Sequence, residues 1–253
     1  MTKHLTRSRD RQQVVRKFSE TKAKLKTQAS QVPSTHQTQN SGRELPWYNV
    51  FTKGDPVYNS YMANEWGYEK RGDKELFEKM SLEGAQSGLS WRTILNKREA
   101  YRKAYHDFDI HAVSKMTDKD VDDMIYSDFS GNDSVVKHRG KLESVIHNAK
   151  ILETMNERVD GYTTFTDYLW GFVNDKPIFN AWRAHNKMPS KTEESEAMSK
   201  ALKKCGFKFV GPTTCYSLMQ SCGFVIDHPF ETDEWRESLK RLQKRRGGFQ
   251  DRR

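Results

Sequence analysis

Apolar side chains recur every three or four residues along the body of this chain, and that spacing limits it to a helical fold. The stretch 73–80 places Leu76, Phe77 and Met80 on one face, and another stripe covers Thr93–Phe108. No sustained run alternates apolar and polar residues, and no Asn-Gly pair marks a hairpin between strands. The pattern predicts an all-α body of about eight helices without internal repeats.

Basic residues are concentrated at the two ends of the chain. Residues 1–45 hold ten Lys or Arg and three Asp or Glu, which accounts for +7 of the formal net charge of +9. This N-terminal stretch is also poor in aromatic residues, so we expect 1–43 to be a disordered basic tail. Basic tails on a nearly neutral body indicate a polyanionic partner such as nucleic acid, although charged tails can also serve only solubility.

The cysteine content bears on the compartment. Three cysteines in 253 residues do not form a disulfide framework, which favours a reducing, intracellular location. We expect the nucleus if the source is eukaryotic and the cytoplasm otherwise, while the basic N-terminus leaves a mitochondrion open. The basic stretch 240–248 also resembles a nuclear import signal. No apolar run reaches membrane-spanning length, so no membrane partner is expected.

One carboxylate lies on the apolar face of its predicted helix. Asp73 can cap the start of the helix that carries Leu76 and Met80, and Glu83 falls on the same apolar face. A glutamate near a core is often a satisfied salt-bridge partner, and that interpretation stays open from the residues alone. The alternative is a charge kept in a dry pocket for a ligand.

The segment "CGFKFVGPTT" (205–214) predicts a helix, a tight turn and a second helix. Gly206 supplies a left-handed stop, and Pro212 suits the first turn of the next helix. The free N–H groups of Thr213 and Thr214 would suit a phosphate oxygen. An ordinary helical hairpin with caps explains the same residues, so DNA-backbone binding is one of two interpretations.

Four motifs in this order resemble a known family. They are "NEWG" (64–67), "LFEKMSLEGAQSGLSW" (76–91), "HRGK" (138–141) and "SKALKKCGFKFVGPTTCYSLMQSCGFVIDH" (199–228). The chain is similar over roughly residues 47–230 to 3-methyladenine DNA glycosylase I, of the helix-hairpin-helix glycosylase superfamily. The resemblance implies that fold for 44–233. Outside it, the spacing of Trp235, Leu239 and Leu242 predicts a basic amphipathic helix and tail at 234–253.

The resemblance implies a pocket for an extrahelical cationic purine. Glu83 matches the catalytic, base-recognising glutamate, Trp91 the stacking tryptophan and Tyr61 the tyrosine of the edge contacts, while Trp66 is a candidate for the pocket wall. Each of these tryptophans also has a plain core interpretation. The DNA contacts implied are Ser87, Gly88 and Leu89 in the gap left by the flipped nucleotide, and Gly206, Lys208, Gly211, Thr213 and Thr214 in the hairpin.

By resemblance the reaction is hydrolysis without strand cleavage. Thr213 stands where many superfamily relatives place a Schiff-base lysine, which implies a monofunctional enzyme that starts base excision repair. Many relatives also use an aspartate after the second helix; Asp227 lies nearby, but capping or a salt bridge suits it better. The expected partner is double-stranded DNA containing alkylated adenine, and the enzyme is expected to act as a monomer without a cofactor.

The family typically carries a structural zinc that joins the chain ends, and this sequence lacks most of its ligands. Met62 stands at the first histidine position, and no cysteine precedes Cys205. His228 matches one ligand, but Thr232 replaces the cysteine that should follow it. One histidine cannot build a tetrahedral site, so we expect no metal. We expect Trp47, Tyr48 and Phe51 to pack against Phe230–Leu242 instead.

Two other functions fit parts of the sequence. A catalytically weak or inactive DNA-binding protein could keep the same scaffold, although it would not need Tyr61, Glu83 and Trp91 together. A glycosylase for another alkylpurine is also possible, and the segment "YSDFSGNDSVVKHRGK" (126–141) is longer than the family pattern.

Overall fold

Helices account for nearly all the regular secondary structure of the part of the chain that the structure describes. The computed structural model describes residues 45–155 and 162–252, so the predicted disordered tail lies outside the described residues. The described helices are α1 Asn49–Thr52, α2 Pro56–Asn64, α3 Asp73–Gln86, α4 Trp91–Asn96, α5 Arg98–Ala104, α6 Ile110–Ser114, α7 Asp118–Tyr126, α8 Arg139–Glu153, α9 Phe165–Gly171, α10 Glu193–Lys204, α11 Pro212–Ser221 and α12 Asp233–Gln243. The all-α prediction is confirmed, but the described residues form twelve helices instead of about eight, because several are only four to seven residues long and too short to show a helical period.

Helix α3 runs through the centre of the fold. Every residue from Leu76 to Ala85 is buried, so this helix has no solvent-facing side over that stretch. A helix that is buried all round normally carries apolar residues alone, yet α3 buries Glu78, Lys79 and Glu83. These three buried charged residues distinguish α3 from an ordinary core helix and indicate a functional role.

The start of α3 differs from the expectation that Asp73 caps it. Gly72 is the N-cap residue and supplies no side-chain cap. The Asp73 carboxylate instead accepts hydrogen bonds from the backbone N–H groups of Phe165 and Thr166, at 3.2 and 2.8 Å. It therefore serves as an acceptor for free N–H groups in the first turn of α9, and it connects segments that are 92 residues apart in the chain.

The predicted stripe over Thr93–Phe108 is divided between two helices and a final 3₁₀ turn, His106–Phe108. Helices α4 and α5 meet at Lys97, whose ammonium donates to the carbonyl oxygens of Gly131 and, at 2.7 Å, Ser134. The segment 127–138 is thereby anchored beside the α4–α5 junction.

Three two-residue strands form one small parallel sheet in the order β2-β1-β3. They are β1 Ile178–Phe179, β2 Val225–Ile226 and β3 Gln250–Asp251. Ile178 pairs with Val225 on one side and with Gln250 on the other. Strands of this length cannot display an alternating pattern in the sequence. No helix among the described residues has the length and apolar character needed to cross a bilayer.

The expected hydrophobic packing of Trp47, Tyr48 and Phe51 against Phe230–Leu242 is not what joins the first and last parts of the described chain. Tyr48 is buried with Tyr61, Met62 and Leu95, with Trp47 packed on the same cluster, so this aromatic segment belongs with α2.

Helix α12 packs elsewhere, because its Trp235 and Leu242 are buried with Phe179 and Ile226. Two arginines at the end of α12 and just after it connect this helix to the segment between α2 and α3. Arg241 donates to the Gly67 carbonyl at 3.0 Å and lies over the Tyr68 ring, and Arg245 binds Glu69 at 2.7 Å.

Candidate active site and DNA-binding elements

A cavity of about 330 Å³ opens between α2, α3, α11 and the segment after β1. Its size falls in the range usual for small-molecule sites. All four residues predicted for the base pocket contribute to its wall. The lining comprises Trp47, Phe51, Tyr58, Tyr61, Met62, Trp66, Glu83, Gln86, Trp91, His185, Met188, Ser217 and Gln220.

Glu83 is the carboxylate in this wall, and it is only 5% exposed. Burial raises its pKa to about 7, while the nearby Lys79 cation and a hydrogen bond from Ser221 act in the opposite direction. A carboxylate in such a setting gains strongly from a cation that enters the cavity, because little water screens the attraction.

Two aromatic rings stand beside this carboxylate. The rings of Tyr61 and Trp91 lie 5.3 Å apart between centroids and are tilted by 44°. Burial raises the pKa of Tyr61 well above its usual value, with the charge of Glu83 acting in the same direction, so the phenol stays neutral and can donate a hydrogen bond. Tyr58 adds a third ring, at 6.4 Å from Tyr61.

Trp66 forms the opposite edge of the cavity. Its ring lies 5.7 Å from that of Trp47 and 5.0 Å from that of His228. Trp66 therefore lines the cavity and also packs against other rings. The prediction of a pocket-wall residue and the prediction of a core residue each describe part of its environment.

The predicted insertion loop projects from the C-terminal end of α3. Ser87, Gly88 and Leu89 are all exposed, and Gly88 has φ +77°, a backbone conformation that favours glycine. The base of the loop is held by Lys141 of α8, which donates to the carbonyl oxygens of Ala85 and Ser87 at 2.9 and 2.6 Å.

The hairpin predicted between two helices is present as Cys205–Gly211, between α10 and α11. Gly206 has φ +95°, as the expected left-handed stop requires, and Pro212 occupies the first turn of α11. No side chain caps α11 at Gly211, so its first N–H groups keep their capacity for an external acceptor. Lys208 and Thr213 are exposed, as is Gly206, while Gly211 and Thr214 are half-buried.

Two helices hold this hairpin in place. Asn148 of α8 accepts from the Lys208 N–H at 2.9 Å and donates to the Lys208 carbonyl at 3.1 Å. On α3, a side chain at Gly84 would meet the Phe209 Cβ at 3.1 Å, so the absence of a side chain there admits the hairpin. The hairpin thus rests on the residue that follows Glu83.

Asp227 is fully buried and does not line the cavity described above. Its carboxylate accepts hydrogen bonds from four neutral donors, on Asn180, Trp182, Tyr216 and Gln220, at 2.5–2.8 Å. Because Gln220 lines the cavity, Asp227 supports the cavity wall from behind. The predicted cap or salt bridge is wrong, because the partners of Asp227 among the described residues are neutral side chains and not backbone N–H groups or cations.

Several cavity residues were not found from the sequence. Tyr58 lies one turn before Tyr61 on α2, and Ser217 and Gln220 share one face of α11, so helical spacing from a known pocket residue could have found them. His185 and Met188 come from a 3₁₀ turn and its flank, where no periodic signal exists.

The remnants of the zinc site do not suit a metal. His228 is 2% exposed, its ring packs against the edges of Trp47 and Trp66, and burial lowers its pKa to about 3. Met62 offers a thioether, and the Thr232 hydroxyl donates to Pro229 while it caps α12. Across the described ranges, no three His, Cys, Asp or Glu side chains come close enough to hold a metal ion.

Comparisons with known proteins agree with this geometry. The methyladenine glycosylase family model matches residues 51–234, which is well over half of the chain. This chain belongs to that family. It is 46% identical to DNA-3-methyladenine glycosylase of Haemophilus influenzae over 68% of this chain and 89% of the relative. It is 44% identical to DNA-3-methyladenine glycosylase 1 of Escherichia coli over 69% and 89%.

A solved structure gives the same result for the fold. The 3-methyladenine DNA glycosylase I of Staphylococcus aureus, whose structure describes 3-methyladenine recognition, superposes with a TM-score of 0.68 at 33% identity. That match covers 74% of this chain and 97% of the solved chain. The regions beyond residues 51–234, including most of α12 and all of β3, lie outside the family model.

Proposed function

We propose that this chain is a monofunctional DNA-3-methyladenine glycosylase that removes alkylated adenine from double-stranded DNA. The observation that carries the proposal is the buried Glu83 carboxylate in the wall of an aromatic cavity, beside Tyr61 and Trp91. The similarity to enzymes of that name supports it. A protein that only bound DNA would gain nothing from a buried carboxylate that burial makes harder to ionise.

The chemistry follows from the charge of the damaged base. Adenine methylated at N3 is cationic while it is attached to deoxyribose, and it becomes neutral when the bond between N9 and C1′ breaks with its electron pair leaving on the base. Water then bonds to C1′ and gives up one proton, so the products are free 3-methyladenine, an abasic sugar and a proton. The base therefore leaves without needing a strong acid in the pocket.

Each pocket group has a defined part in this proposal. Glu83 accepts a hydrogen bond from the base edge and balances its charge, and this attraction selects the cationic base over a normal, neutral one. Trp91 and Tyr61 offer their faces for stacking and cation–π attraction, worth about 0.5–2 kcal/mol each. Trp66 closes the far edge of the cavity.

The DNA contacts are a separate part of the proposal. Ser87, Gly88 and Leu89 would fill the gap that the flipped nucleotide leaves, because they form an exposed loop directly after the helix of Glu83. The hairpin would hold the DNA backbone through Gly206, Gly211 and the N–H groups of Thr213 and Thr214, with Lys208 adding a positive charge.

A base-release assay on methylated duplex DNA tests the proposal, with the liberated purines separated and identified. Wild-type protein should release 3-methyladenine and leave the strands intact, while Glu83→Gln should release at least roughly tenfold less at similar DNA binding. Binding to DNA without any release would favour the alternative of an inactive scaffold, and release of a different purine would correct the substrate.

We also propose that the enzyme acts as a monomer inside the cell. The basic stretch 240–248 is a weaker import signal than its sequence suggests, because Arg241 and Arg245 are engaged with Gly67 and Glu69. Sedimentation of the free protein and its DNA complex tests the first point. Imaging of a fluorescent fusion with and without residues 240–248 tests the second.

A further inference from the structure

A second buried charge lies behind the base pocket and has no hydrogen-bonding partner. Lys79 of α3 is 3% exposed, and its ammonium makes no hydrogen bond. Burial lowers its pKa, so the environment disfavours the charged form. An ammonium that is buried without a hydrogen bond is costly, and a methionine or leucine would fill the same space without that cost.

Ion pairing with Glu65 accounts for this lysine only in part. The Lys79 ammonium forms an ion pair with a Glu65 oxygen at 3.5 Å, beyond good hydrogen-bonding distance. Glu65 is already bound more closely by Arg98, which donates to its two oxygens at 3.0 and 2.7 Å. Glu65 therefore has a closer cationic partner than Lys79, and this ion pair alone does not require a second cation at position 79.

The surroundings of Lys79 point toward the pocket. Its ammonium lies over the Tyr61 ring, 4.5 Å from the centroid, and 5.8 Å from the centroid of Trp91. Lys79 precedes Glu83 by one helical turn, the spacing at which side chains of a helix are neighbours. Lys79 does not itself line the cavity. It thus stands behind the aromatic wall, next to the carboxylate that the cavity exposes.

Resting on the proposed function, we propose that Lys79 is a positioning residue whose charge favours the ionised form of Glu83 against the effect of burial, so that the pocket can receive a cationic purine. Among the described residues, Lys79 is the cation whose charge lowers the pKa of Glu83, against the effect of burial. It does this without occupying the space of the base and without donating a hydrogen bond that would compete with the base edge. An empty pocket then offers a ready negative charge.

Other titratable and polar groups also lie near Lys79 and Glu83. Tyr58 and Tyr61 face Glu83 from α2, and burial raises the pKa of Tyr58 to about 12, so both phenols are neutral at neutral pH. From the α11 side, burial raises the pKa of Cys222 to about 12, so its thiol is neutral as well. Further groups near the pair are the Ser221 hydroxyl, the Glu65–Arg98 ion pair and His185 across the cavity.

The test is the pH dependence of 3-methyladenine release by wild-type protein and by Lys79→Met. Activity rises with pH as Glu83 loses its proton, and removal of the neighbouring cation raises the pKa of Glu83. The acid limb of the Lys79→Met profile should therefore move to higher pH, by roughly 1 unit if the loss of one nearby opposite charge has its usual effect. The two rates should converge near pH 9, where Glu83 is ionised in both proteins.

Lys141→Met is the matched control. Lys141 is also a buried lysine, but its ammonium is used in hydrogen bonds to Ala85 and Ser87. Its replacement should lower activity by one factor at every pH and leave the acid limb in place. Lys79→Gln provides a second variant in case methionine disturbs the fold, and the melting temperature of both Lys79 variants at pH 7 should equal or exceed that of wild type.

The outcomes separate this inference from the function on which it rests. If wild-type protein releases no base, the proposed function fails. If wild-type protein is active and the acid limb of both Lys79 variants coincides with its own, or if they lose the same factor at every pH, Lys79 has no part in the charge of Glu83.

Discussion

Replacing Glu83 by glutamine should make this protein less active and more stable. The change keeps the shape of the side chain and removes its charge, so a cationic base loses its counter-charge in the pocket. We expect release of 3-methyladenine to fall at least roughly tenfold, which corresponds to about 1.4 kcal/mol in the transition state. The gain in stability has a separate cause, because the folded protein no longer has to bury a charge.

The size of that gain follows from the pKa of Glu83. Burial raises it from 4.5 to about 7, so the folded state binds a proton more tightly than the unfolded state. The free energy of unfolding therefore falls as the pH rises from about 4.5 through about 7. By pH 8 the decrease approaches about 3 kcal/mol for a pKa shift from 4.5 to about 7. Glutamine removes the loss, although its own amide must still find partners, so this figure is an upper bound.

Thermal melting at two pH values measures the effect. At pH 8 the variant should melt up to roughly 5–10 °C above wild type, on the usual scale for a domain of this size. At pH 5 wild-type Glu83 is mostly protonated in the folded state, and the gap should shrink to under about 1 kcal/mol.

Glu78→Gln is the matched control, because Glu78 is a glutamate of the same helix whose carboxylate binds Arg102 at 2.8–2.9 Å. Its loss should lower the melting temperature. A Glu83→Gln variant that melts no higher than wild type at pH 8 would refute the buried-charge reasoning, and wild-type activity would refute the role in base recognition.

Further predictions concern the sugar chemistry, the tail, the metal and the hairpin. Borohydride should trap no enzyme–DNA adduct, because Thr213 stands at the implied Schiff-base position; a covalent adduct on a denaturing gel would contradict this. Deleting residues 1–43 should leave the melting temperature unchanged and make the slope of log K against log salt shallower, and an unchanged slope would mean that this segment does not touch DNA. Chelator should not lower the melting temperature, since His228 is the one family zinc ligand retained, and stoichiometric, stabilising zinc would overturn this. Asn148→Ala should weaken binding of methylated and undamaged DNA by the same factor in an anisotropy titration and leave binding of free 3-methyladenine unchanged; equal DNA affinity would rule out the clamp on Lys208.

The sequence was most informative where a feature is local. The stripe of Leu76, Met80 and Glu83 placed the carboxylate on the buried face of α3, because residues three or four apart share a face of a helix. Gly206 and Pro212 marked the two sides of the hairpin because their backbone requirements depend on single residues.

Features that depend on distant parts of the chain were not predictable in this way. The partner of Asp73 lies 92 residues away, and no local pattern distinguishes a carboxylate that caps its own helix from one that caps another. His185 and Met188 reach the cavity from a segment without periodicity. Tyr48 and Trp235 are both aromatic residues near the chain ends, yet they pack in separate clusters, because shape and not composition decides which apolar surfaces meet.

Helix α3 links the proposed base pocket to the proposed DNA-backbone contacts. Glu83 faces the cavity, and the next residue, Gly84, lacks a side chain where Phe209 of the hairpin packs. A buried helix has no freedom to tilt without disturbing the core on every side, so these two neighbouring contacts hold the carboxylate and the hairpin at a fixed separation. Under the proposed function, a flipped base at Glu83 would lie at a fixed distance from a DNA backbone held by the hairpin. The buried groups of Lys79 and Glu83, whose charged forms burial disfavours, make α3 an element where stability is given up for this arrangement, as expected where function and packing compete.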